Sequence, residues 1–156
     1  MVMWDEIFYE VAKRYPDVET QRVLVDAMTT QMVLHPGWLD TVVATSLHAD
    51  ILSDLAAALS GSLGIAPTAN LNPERKFPSM FEPIHGSAFD ITGKGIANPI
   101  ATFWTASMML EHIGENESAA RLLAAVEAVT AKRIHTPDLG GEATTKIVTE
   151  AVCDVL

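Results

Sequence analysis

A chain of 156 residues, 49% of them hydrophobic, is long enough to bury one core and too apolar for global disorder. Twenty acids against ten Lys and Arg give a formal net charge of −10, which excludes a nucleic-acid surface and favours metal cations as partners. One cysteine, Cys153, excludes an internal disulfide; with no secretory leader pattern and no apolar run near about 18 residues, the expectation is a cytoplasmic chain without a membrane span.

In chain order, "MVMWDEIFYEVAKRYP" (1–16) spaces Trp4, Ile7, Phe8 and Val11 along one helical face and stops at Pro16. "TQRVLVDA" (20–27) and "DTVVATS" (40–46) are short and β-branched and predict buried strands, with a helix over "AMTTQMVLHP" between them. "HADILSDLAAALSG" (48–61) predicts a helix ending at Gly61. This alternation predicts an α/β protein with some parallel pairing. Residues 60–78 shift to Gly, Ser, Pro and Asn and read as loop, with a segment boundary near Gly61, and "SMFEPI" (79–84) reads as a strand. Three helices follow over 99–114, 116–133 and 143–156, broken at Gly114 and at "TPDLGG" (136–141); Trp104, Met108 and Met109 read as core packing. Three strands are few for a sheet, and no capping residue precedes the first helix, so the chain reads as the tail half of something longer.

Three groups could carry chemistry. Asp50 and Asp54, four apart on a helix, share one face and could share one cation, although acids in a first helical turn also complement the macrodipole. Asp26, at the end of a predicted strand, occupies the position where α/β proteins build sites, or else caps the next helix. Together these carboxylates suit Mg²⁺ or Mn²⁺. The third is "FEPIHGSAFDITGKGIANP" (81–99), where Gly86, Gly93 and Gly95 permit close backbone approach and Asn98-Pro99 starts a helix. It is neither G-x-G-x-x-G nor a Walker loop.

"DILSDLAAALSGSLGIAPTANL", "MFEPIHGSAFDITGKGIANPIA" and "TPDLGG" together resemble the C-terminal half of the isocitrate and isopropylmalate dehydrogenase family, over essentially the whole chain. "HADILSD", with His48-Ala49 where isopropylmalate dehydrogenases carry Phe-Gly, is most similar to the branch that acts on tartrate and D-malate. The resemblance implies a partial isopropylmalate-dehydrogenase-like α/β fold, a parallel or mixed sheet flanked by helices, with the N-terminal half absent. Residues 1–61 would belong to the dimerisation and metal-binding domain and 62–156 to the C-terminal part of the NAD-binding domain.

It further implies an NAD- and divalent-metal-dependent decarboxylating dehydrogenase of a small 2-hydroxy acid, working as a homodimer. Asp50 and Asp54 would bind Mg²⁺ or Mn²⁺, Asp26 would complete the site across the dimer, and Asp26 and Asp50 would serve catalysis. Glu82, His85, Gly86, Ser87, Ala88, Asp90 and Asn98 would bind NAD, with Asp90 on the ribose hydroxyls, where a carboxylate repels a 2′-phosphate. Ser46 stands where the family usually has Asn. The family's catalytic lysine and substrate arginines have no counterpart in these residues, so the chain by itself is expected to be inactive. The alternatives are a non-catalytic metal- or NAD-binding or dimerisation module, and a portion of a 3-isopropylmalate dehydrogenase.

Overall fold

The computed structural model describes residues 2–156 and divides into two units, Met1–Val43 and Ala44–Leu156. Gly61 falls inside the second unit.

In the first unit, α1 (Val2–Ala12) is followed by α2 (Val25–Leu34) and a 3-10 turn at Pro36–Trp38. The apolar stripe expected on α1 is there, but it does not close a core: Trp4 is 40% and Ile7 54% exposed. Trp4, Phe8, Val11, Tyr15, Val18 and Val43 line an open hollow of about 690 Å³. The strand expected over 20–27 is not formed. Residues 20–24 carry no ladder, Leu24 has extended backbone (φ −71°, ψ 148°), and α2 already begins at Val25. Residues 40–45 likewise carry no ladder, and Thr45 is extended at φ −66°, ψ 157°. β-Branched residues favour extended backbone, but a strand exists only where a neighbour accepts its N–H groups and supplies its carbonyl partners.

The second unit starts with α3 (Ser46–Leu59), as the pattern predicts. A 3-10 turn at Leu63–Ile65 leads into β1 (Pro67–Asn70), which pairs antiparallel with β2 (Met80–Pro83) in the register Thr68↔Glu82 and Ala69↔Phe81. β2 is the expected strand. β1 corrects the reading of 60–78 as loop, because "PTAN" lacks strong strand formers and owes its conformation to pairing. This ladder is the one sheet among the described residues, so the parallel pairing expected from the alternation is not seen there.

α4 (Ile100–Ile113), α5 (Asn116–Ala131) and α6 (Thr145–Val155) complete the chain. Gly114 (φ 96°) closes α4 in the left-handed conformation, and the Glu115 N–H donates back to Leu110 O at 2.8 Å, turning the chain tightly into α5. Ile100, Ala125, Val126, Val129, Val148 and Val152 form the core between these helices, with Ile65, Phe103 and Leu122 packed against it. Trp104 and Met109, expected in the core, are instead exposed, because the stripe facing α5 and the sheet is Ile100, Ala101, Thr105 and Ser107. Among the described residues no helix is long and apolar enough to cross a membrane.

Candidate functional site

The glycine-rich segment leaves β2 at Pro83 and enters α4 at Ile100, so sheet and helix fix its two ends. Between them the backbone folds into consecutive turns: the Ile91 N–H donates to Ala88 O at 3.0 Å and the Lys94 N–H to Ile91 O at 3.1 Å. Ala88 adopts φ 43°, a conformation that costs a non-glycine residue energy and is held by these turns. His85 is half-buried, with Nδ1 3.0 Å from Gly86 O, while Ser87, Phe89 and Asp90 face solvent. Glu82 is exposed on β2 opposite Thr68.

Asn98 is 8% exposed and its amide is engaged at both ends. Oδ1 accepts from Ile100 N at 3.0 Å; α4 starts one residue later than Asn-Pro predicts, with Pro99 at the cap position rather than first inside the helix. Nδ2 donates to Asp138 Oδ2 at 2.9 Å. The side chain of Asn98 is therefore a structural anchor.

Asp138 is the hub that the sequence reading missed. It also accepts from Ser62 Oγ and from Thr136 Oγ1, each at 2.5 Å, and so ties the 62–65 turn, the end of the glycine-rich segment and the 3-10 turn Pro137–Leu139 together. Burial raises its pKa, but the hydrogen bonds from Ser62, Thr136 and Asn98 outweigh that and hold it below the ordinary 3.8. Gly64 lies so close that a Cβ would sit 2.7 Å from Asp138 Oδ2 and 2.8 Å from Asn98 Cβ. The available signal was "TPDLGG", a polar turn with two glycines after an apolar helix.

Asp50 and Asp54 are both exposed on α3. α3 begins at Ser46, which places Asp50 beyond the first turn, so complementing the macrodipole does not explain the pair. Like charges at that spacing repel weakly unless a cation lies between them. Asp26 is the second residue of α2, not the end of a strand; its Oδ1 accepts from Ala27 N at 2.8 Å, and its carbonyl accepts from Thr29 Oγ1 at 2.6 Å. Among the described residues no three His, Cys, Asp or Glu side chains gather closely enough to hold a metal.

The helix-rich unit with its small sheet is a partial α/β fold of the isocitrate-dehydrogenase type. An isocitrate dehydrogenase from Methylococcus capsulatus superposes with a TM-score of 0.89 at 46% identity, over 96% of this chain and 44% of that one. The family described as isocitrate/isopropylmalate dehydrogenase matches residues 1–155, and the chain belongs to it. A protein of Agrobacterium vitis named as a probable tartrate dehydrogenase/decarboxylase is 71% identical over 156 residues, all of this chain and 43% of its own length. The decarboxylating D-malate dehydrogenase of Escherichia coli (strain K12) is 47% identical over 161 residues, all of this chain and 45% of its own length. The chain thus spans less than half the length of these relatives.

Proposed function

We propose that this chain forms the metal- and dinucleotide-binding portion of an NAD-dependent, decarboxylating dehydrogenase of tartrate or D-malate. The observation that carries the reading is the 71% identity, over the whole chain, to a protein named as a probable tartrate dehydrogenase/decarboxylase.

The residues present suit the cofactors. Asp50 and Asp54 offer two exposed carboxylates on one helical face, hard donors of the kind Mg²⁺ or Mn²⁺ takes, and Asp26 of a second subunit would complete the set. Asp90, exposed and in no ion pair among the described residues, would accept the ribose hydroxyls of NAD, beside His85, Gly86, Ser87 and Ala88. Asn98, held by Ile100 and Asp138 at the start of α4, would reach the adenine. When bound, the metal would polarise the hydroxyl and carboxylate oxygens of the substrate, and NAD would take the hydride. The part of these residues is to hold and orient both.

Calorimetry with Mn²⁺ tests the metal half: the wild-type chain should bind, and Asp50→Ala or Asp54→Ala should lower affinity at least tenfold. Unchanged heats in both variants contradict the site. Assayed alone with NAD, Mn²⁺ and D-malate or tartrate, the chain should show no turnover, and a steady-state rate would refute its dependence on residues outside it.

A further inference from the structure

We infer that Lys94 supplies the positive charge that holds the pyrophosphate of the dinucleotide, an inference that rests on the glycine-rich segment being the nucleotide site. A dinucleotide brings negative charge to a chain of net charge −10, so a local cation or a set of backbone N–H groups must offset the repulsion. Between Lys76 and Arg121 the sequence contains one Lys or Arg, and it is Lys94. It is exposed and forms no ion pair among the described residues, whose three recorded pairs are Arg14–Glu10, Arg22–Asp5 and Lys146–Glu150.

Its placement follows from the backbone. The turn from Ala88 to Ile91 and the turn from Ile91 to Lys94 coil residues 88–94 into one compact knot, so Lys94 stands one turn beyond Asp90. Gly93 (φ 79°) and Gly95 (φ 66°) flank it in left-handed backbone, and a Cβ at either would meet nothing within 4 Å, so open space surrounds the lysine's backbone neighbours. A long flexible ammonium there suits a phosphate as a point charge, while the carboxylate of Asp90 suits neutral hydroxyls.

Titration of the full chain with adenosine, ADP and adenosine 2′,5′-bisphosphate, by calorimetry at low and physiological salt, tests this. Lys94→Gln should weaken ADP about five- to tenfold, leave adenosine unchanged and flatten the salt dependence, whereas Lys94→Arg should stay near wild type. Equal ADP affinity in wild type and Lys94→Gln, with Asp90→Ala still weakening adenosine, overturns the role of the lysine and leaves the nucleotide site standing. Equal loss of adenosine and ADP marks a change of loop shape and overturns it too, as does a loss confined to the 2′-phosphorylated ligand. If neither Lys94→Gln nor Asp90→Ala alters any titration, the nucleotide site fails and the inference fails with it.

Discussion

Gly141→Ala should destabilise the chain by about 3 kcal/mol, lowering Tm by about 10 °C, because an added Cβ meets backbone more closely there than at the other described glycines. A Cβ at Gly141 would lie 1.9 Å from His135 O and 2.5 Å from its carbonyl carbon, and neither is the movable end of a side chain. The same oxygen accepts from Ala143 N at 2.9 Å, and Gly141 N itself donates to Thr136 O at 3.1 Å. Relieving the overlap means separating 141–143 from 135–136, which breaks both bonds and shifts Thr136, 1% exposed, out of its packed position. Gly141 has no left-handed φ, so close approach of backbone to backbone is the reason for glycine here. Thermal unfolding followed by circular dichroism measures the loss. A Tm within about 2 °C of wild type would contradict the geometry.

Asp138→Ala should cost about 2–4 kcal/mol, since it leaves the hydroxyls of Ser62 and Thr136 and the amide of Asn98 without their shared acceptor. Asp138→Asn keeps the shape but presents an NH₂ group to at least one of three donors, and should cost about half as much. The two substitutions separate lost hydrogen bonds from lost volume. The pH dependence follows from the lowered pKa. With the folded value below 3.8, the stabilisation from the ionised carboxylate is fully present above that value and drains away as pH falls through the folded pKa. Denaturant titrations should therefore find a constant gap between wild type and Asp138→Asn at and above pH 5, narrowing below about pH 4. A gap independent of pH down to 2 would remove Asp138 from the role given it.

How far the sequence could be read divides along physical lines. α3 was legible from its strong helix formers ending at Gly61, and in α5 and α6 the buried pairs Ala125–Val129 and Val148–Val152 stand four residues apart, a property local to each segment. The segments 20–27 and 40–46 were misread as strands for the opposite reason: pairing is not local, and nothing in "RVLVD" records whether a neighbour exists. β1 was missed because its residues are poor strand formers whose conformation is imposed by Met80–Pro83. The glycine-rich segment stood out through its Gly spacing and Asn98-Pro99; its isolation as a loop holds, and the helix starts one residue later than that pair predicts. Asp138, which anchors that segment, was invisible, since its partners lie 2, 40 and 76 residues away in sequence and meet only in the fold. Asp26 was placed at a strand end when it opens α2, an error inherited from the strand itself.

The proposed function requires residues 81–99 to bind a dinucleotide in a shape that Asp138 holds. Calorimetric titration of NAD into the wild-type chain and into Asp90→Ala is the direct test. Saturable binding by the wild type, weakened about tenfold in Asp90→Ala while the melting temperatures agree, is the predicted result; identical binding curves for the two proteins would contradict it.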